Sequence, residues 1–195
     1  MAKSARERLL DVTFEEIYIN GYAATAIDTI LQKAKAPKGS LYHHFGSKKN
    51  LVLAMIQERL FPKMDSFFIF KKVDNSVYKS FKLILLQIAK NNQLITYGCP
   101  MYRLIVELSP VDKDFDNLLQ KKYSQLVNSI EILLQSGIDD GEFNKNLDAN
   151  NFAKFILSSV WGILSLSPSI SNQKNFLEQS KFILEALQRY KVIPN

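Results

Sequence analysis

Apolar residues recur at spacings of three and four in nearly every segment of this chain, a helical rather than a strand periodicity. Such a pattern restricts the fold to packed helices, and the breakers between segments set where each helix stops. From Ser4 to Asn20, Leu10, Phe14 and Ile17 make one apolar stripe, and Gly21 follows where a helix C-cap favours positive φ. Thr25-Ala-Ile-Asp28 fits a capping box, with Asp in place of Glu, opening a short helix over about 26–34. Lys35-Ala36 reads as a turn. Pro37 suits the first turn of a brief third helix that ends near His44. Ser47 can cap a fourth helix from Lys48, with a kink or break at Pro62. Further helices are expected at about 75–91, 100–108, 113–137, 148–166 and 174–190. The breaks fall at Gly98 and Pro100, at Pro110, from Gly137 to Gly141, and from Ser167 to Ser171. The expected class is all-α with about nine helices, the first three short.

Length and charge narrow the use of such a fold. A chain of 195 residues can bury one sizeable core, or fuse a small domain to a larger one. The net charge of +6 points to a polyanionic partner, and its distribution says more than its size. From Thr29 through Gln57 there are five lysines, both histidines and no Asp or Glu. A single cysteine, Cys99, cannot form an intramolecular disulfide, so a reducing compartment is the simplest context. MAKSARERLL is charged at once and reads as no secretory signal. Phe155 to Gln173 lacks charge, but Pro168 and its many serines make a poor membrane span. A cytoplasmic protein with no membrane partner is expected.

The acid-free stretch contains KAPKGSLYHHFGSKKNL, residues 35–51. Two short helices joined by a tight turn, the second basic and aromatic, describe a helix-turn-helix. A helix entering the major groove approaches two rows of phosphates, which repel carboxylates and reward lysines by counterion release. Gly39 and Ser40 are small enough to bring the helix start close to the groove. Leu41 and Phe45, four apart, suit an inner anchoring face.

Over roughly residues 4–55 the chain resembles the DNA-binding domain of the TetR family of transcriptional regulators. The resemblance is carried by Arg6-Glu-Arg-Leu-Leu10, Asn20-Gly-Tyr-Ala-Ala-Thr25, Gly39-Ser-Leu-Tyr-His-His-Phe45 and Ser47-Lys-Lys-Asn-Leu51. Lys35-Ala36 departs from it, standing where that family has Gly-Val. The resemblance implies a DNA-binding domain over 1–47, with its helix-turn-helix at about 26–45, and a regulatory and dimerisation domain over 48–195. It puts Lys38, Gly39, Ser40 and Tyr42 at the groove, with Lys38 suited to guanine O6 and N7. Tyr42, His44 and Lys48 match phosphate-contacting positions, and His43 a further backbone or base contact. Lys3 and Arg6 would reach the flanking backbone, and Thr25 a phosphate at the start of the second helix. The implied function is a sequence-specific regulator, a repressor on a palindromic operator, released by a small-molecule effector or by cysteine modification; the alternative is an architectural nucleic-acid-binding protein without an effector, whose C-terminal core would be sealed.

In the remaining chain, Tyr78, Phe81, Leu85, Met101, Tyr102, Ile105, Tyr123, Leu126 and Trp161 are candidates to line an effector cavity, or to fill a packed core. Phe152, Phe155, Ile156, Ser159, Val160, Ile163, Phe176, Ile183 and Leu187, on the last two helices, are candidates for a dimer interface, with Gly162 allowing close approach. Tyr97-Gly-Cys-Pro-Met-Tyr-Arg103 resembles the Gly-Cys segment of a TetR subgroup, which implies a redox or electrophile sensor at Cys99, its thiolate favoured by an expected helix start and by Arg103; the alternative is an inert buried thiol. No acid, base or nucleophile accompanies Cys99 at a recognisable spacing, and both histidines lie in the DNA-reading stretch, so no enzyme is expected. Adjacent histidines on a helix point about 100° apart, with no acid or cysteine near, so neither metal nor cofactor is expected.

Overall fold

The computed structural model describes residues 3–166 and 172–192, and the expected break at Ser167–Ser171 lies outside them. Among the described residues the chain is all-α, with two isolated bridges, Val73 to Ser76 and Phe143 to Lys191, and no strand. The helices are α1 (Ala5–Asn20), α2 (Ile27–Ala34), α3 (Lys38–Phe45), α4 (Lys48–Met55), α5 (Phe61–Phe67), α6 (Val77–Lys90), α7 (Asn92–Tyr97), α8 (Pro100–Leu108), α9 (Lys113–Asp139), α10 (Ala149–Leu164) and α11 (Gln173–Gln188). Every expected helix is present, and α7 is an additional short one. None of the described helices is long and apolar enough to cross a membrane.

Local chemistry explains the ends. Ser4 and Glu7 close a full capping box on α1, of the Ser-x-x-Glu form and additional to the expected caps. Ser47 caps α4 by accepting from the Asn50 amide, as its position suggested. The capping box read at Thr25–Asp28 does not form. Ala26 is the N-cap of α2 and gives no side-chain cap, while the Thr25 hydroxyl donates back to the Gly21 carbonyl at 2.6 Å. The Thr25 hydroxyl is thus turned toward the end of α1, and it caps no amide of α2.

Helix α4 does not break at Pro62. A π-helical turn, Ile56–Leu60, joins α4 to α5. Pro62 has no amide to give the Glu58 carbonyl four residues back. Arg59 Nη1 donates to that carbonyl at 3.1 Å instead, and the wider turn lets the helix continue.

Packing groups the chain into two compact units: Met1–Phe67 with Arg103–Leu119, and Phe68–Tyr102 with Gln120–Asn195. These units cut across the division expected at residue 47/48. In the first unit α1 packs on α2, α3, α4 and the π-helical turn around Leu9, Leu10, Ile30, Leu41, Leu51, Met55, Ile56 and Phe115. In the second, α6 packs on α11, and α11 on α10, around Ile88, Phe143 and Phe176.

Candidate nucleic-acid interface

Helix α3 is built to present one face. Leu41 and Phe45 are buried, as their spacing of four required, and they fix the helix against α1 and α4. Lys38, Gly39, Tyr42, His43 and His44 are exposed, and Ser40 is half-buried. A Cβ at Gly39 would meet no heavy atom within 4 Å, so nothing in the chain itself demands glycine there. The first turn carries no acid, and the His43 and His44 rings meet edge to face at 5.0 Å in the last.

The turn before α3 takes a left-handed residue. Lys35 has φ 48 and ψ 48, and its amide donates to the Gln32 carbonyl. Arg8 of α1 braces this turn, donating from Nε to the Ala34 carbonyl at 2.8 Å and from Nη2 to the Lys35 carbonyl at 3.2 Å. The lysine that departs from Gly-Val therefore adopts the glycine conformation, at a steric cost.

The remaining basic positions read as DNA contacts are engaged within the chain. Arg6 makes a bidentate pair with Glu58 at 2.7 and 2.5 Å and stands 5.3 Å over the Phe45 ring. That hydrogen bonding to Arg6 holds the Glu58 carboxyl below its usual range. Lys3 donates to Asp11 at 2.8 Å, and Arg59 to the same carboxylate at 2.5 Å. Burial alone would raise the Asp11 carboxyl; these two cations hold it low. Lys48 donates to the Tyr22 carbonyl at 2.6 Å, Lys49 pairs with Asp112 and Asp114 at 2.7 Å, and Thr25 is 2% exposed. These acid partners lie 8 to 65 residues away in sequence, so local spacing could not reveal them.

In the second unit the structure brings together part of the cavity set. Trp161 packs on Tyr102 at 5.4 Å and on Tyr123 at 5.8 Å between ring centres, with Met101 and Leu126 buried. Cys99 belongs to this cluster. It is 4% exposed, and burial pushes its thiol up, against hydrogen bonding from the Tyr102 and Met101 amides and Trp161. The expected lowering by the helix start is thus overturned by desolvation, and the Arg103 guanidinium donates elsewhere, to the Tyr18 carbonyl at 2.7 Å. Phe81 and Leu85 are buried on α6, whereas Tyr78 faces Gln188 and the Lys191 ammonium. Ile105 falls in the first unit.

The set read as a dimer interface needs correction. Ile156, Val160, Ile163, Phe176, Ile183 and Leu187 are buried within the protomer, because α10 and α11 use their main apolar stripe against each other and α6. Phe152 packs on Phe155 and Tyr190. The outward side of α10 includes Phe155, half of Ser159, and Gly162, where an added Cβ would meet nothing within 4 Å, beside Asn151, Lys154 and Ser158. The outward side of α11 is mostly polar but includes Phe182, 70% exposed and absent from the expected set.

Residues 9–55 match the family model described as bacterial regulatory proteins, tetR family, and residues 84–175 that of the tetracyclin repressor-like C-terminal domain. The chain is 31% identical to an HTH-type transcriptional regulator in the lacX 3′ region of Lactococcus lactis subsp. lactis, covering 94% of this chain and 92% of that one. It is 26% identical to the HTH-type transcriptional repressor DhaR of Mycobacterium sp. (strain GP1), covering 89% and 87%. A TetR-family regulator from Cytophaga hutchinsonii superposes with TM-score 0.85 at 14% identity over 100% of both chains. A TetR regulator from Chloroflexus aurantiacus superposes with TM-score 0.84 at 21% identity over 97% of each.

Proposed function

The chain belongs to the TetR family of bacterial regulatory proteins, DNA-binding transcriptional regulators and not enzymes, and from that membership we propose that it is a repressor that grips a palindromic operator as a homodimer. One observation carries the reading: α3 offers an exposed, acid-free face of Lys38, Gly39, Ser40, Tyr42, His43 and His44 on a buried Leu41–Phe45 anchor. Lys38 reaches base edges, while Tyr42 and the histidines serve phosphates. Lys48 keeps one N–H on Tyr22 and offers the others to a phosphate; Lys3 and Arg6 act in the same way if their acid partners yield. Residues 1–47 are the DNA-reading part and 48–195 the regulatory and dimerising part.

Release comes from a non-covalent small molecule at the aromatic cluster of Tyr102, Tyr123 and Trp161. The buried, protonated Cys99 thiol argues for this over cysteine modification. The protein acts in the cytoplasm, where its DNA is.

The test is selection from a random duplex library by the purified protein. An inverted-repeat consensus with half-sites about one helical turn apart is expected, bound more weakly as salt rises. Enrichment of no sequence, with equal affinity for all duplexes, refutes the reading.

A further inference from the structure

Helix α1 ends at Asn20, so the bond that would continue it, from the Tyr22 amide to the Tyr18 carbonyl, is never made. Two side chains of α8 take up both halves of it. Arg103 Nη1 donates to the Tyr18 carbonyl at 2.7 Å, and Glu107 Oε2 accepts from the Tyr22 amide at 2.9 Å. The other Glu107 oxygen accepts from the Ala23 amide at 2.8 Å. Arg103 and Glu107 are four apart, one above the other on the helix. The signs match the helix end: a cation sits on the last carbonyls, an anion on the free amides beyond.

The approach is close. Gly21 has φ +85, and a Cβ there would stand 3.2 Å from Glu107 Oε2. On the other side of the turn Lys48 holds the Tyr22 carbonyl, and the Tyr22 ring packs edge-on to Phe115 at 5.8 Å. Four residues after Ala23, α2 begins, and α3 follows it. The direction in which the chain leaves α1 therefore decides where α3 stands on the core.

We propose that Arg103 and Glu107 are positioning residues for DNA reading, so that the DNA-reading element of this chain includes the end of α8, some fifty residues beyond the matched segment 9–55. This rests on the reading of α3 given above. The same turn, two amides beside a lysine, is also a place where a DNA phosphate could bind, and then Glu107 would be its competitor. The two roles have opposite signs.

The probe is the duplex that the wild-type protein enriches from the random library, with a scrambled duplex as control. In Glu107→Ala, the Tyr22 and Ala23 amides should lose hydrogen-exchange protection while helix content and assembly stay unchanged. Its affinity for the enriched duplex should fall about tenfold, as two charge-assisted hydrogen bonds to the turn are lost, and less on the scrambled one. Glu107→Gln, which keeps one carbonyl acceptor, should restore protection at one amide and only part of the lost affinity, staying more than twofold below wild type. Val106→Ala, at an exposed neighbour, should bind as wild type. If Glu107→Ala fails to fold, Glu107→Gln and Arg103→Lys carry the test, each with a partial loss on the enriched duplex alone. Affinity within twofold of wild type, or tighter, in the folded Glu107 variants overturns the proposal. If the wild type enriches no duplex, the DNA reading itself falls and this inference with it; enrichment with unchanged variants sinks the inference alone.

Discussion

Lys48 donates to the Tyr22 carbonyl at 2.6 Å and holds its ammonium 4.2 Å from the centre of the same residue's ring. Burial pulls its pKa below the ordinary lysine value, and the Glu107 carboxylate offsets only part of that pull. An ammonium has three N–H donors, and Tyr22 takes one. Lys48→Ala should weaken binding on every duplex alike and flatten the salt slope by about one unit. Lys38→Ala should act differently. Its loss should relax preference at one base pair, by about 1–3 kcal/mol, because that ammonium is exposed and free to reach a base edge. Salt titrations on the enriched duplex and its single-base variants separate the two. Wild-type affinity in both would remove α3 and the start of α4 from the interface.

A second prediction comes from the turn. Lys35 holds φ 48, a conformation that costs an L-residue about 1–2 kcal/mol relative to glycine. Arg8 keeps it there by bonding the carbonyls on both sides of the Ala34–Lys35 link. Lys35→Gly should raise stability by about 1 kcal/mol, a shift of roughly 2–4 °C in Tm for a chain of this size. Lys35→Val should lower it, since a β-branched residue tolerates positive φ least. Thermal denaturation without DNA reads both, and a Gly variant less stable than wild type would show that the lysine side chain contributes more than its backbone costs.

How far such features were visible in the sequence depends on their range. Leu41 and Phe45, or Ser47 and the Asn50 amide, act within one turn, so their spacing alone reveals them. Thr25 shows the limit even at short range: two residues can accept the role of cap, and the Gly21 carbonyl decided which. The Arg103–Glu107 grip joins residues 85 apart, and nothing local marks it. The apolar stripe of α10 and α11 was equally visible, but periodicity cannot say whether a stripe meets its own chain or another. Tertiary packing assigned Ile163 and Ile183 inward, leaving Phe155 and Phe182 outside.

Cys99 yields a third prediction. A thiol at a helix start ordinarily ionises more readily, yet this one is enclosed and its pKa is raised by burial. The thiolate is the nucleophile, so both access and ionisation work against reaction. Alkylation of the native protein at neutral pH should be slower than that of a free model thiol, and unfolding should restore it. Cys99→Ser should bind the enriched duplex normally and still release it with the small-molecule effector. Fast native modification, followed by loss of DNA, would return the cysteine to the role of sensor.

The last prediction concerns assembly. Two half-sites on a palindrome need two copies of α3 related by a two-fold axis, so the protomers must share a self-complementary face. On α10, Phe155 and Gly162 are seven apart and Ser159 lies between them, a single outward row on a helix. Gly162 leaves that row open enough for a partner helix to approach, and Phe182 stands exposed on α11. Phe182→Glu or Gly162→Leu should therefore give a folded monomer in sedimentation, with affinity for a full operator falling toward that for a half-site. Ile183→Glu places a carboxylate in the apolar interior, on the buried face that Ile183 shares with Phe176 and Leu187, and should cost several kcal/mol, on the order expected for an uncompensated buried charge. It should lose its fold rather than its partner. Circular dichroism tells the two apart: a helical monomer from Phe182→Glu beside an unfolded Ile183→Glu supports this face, while a Phe182→Glu and Gly162→Leu pair that both remain dimeric moves the two-fold axis elsewhere.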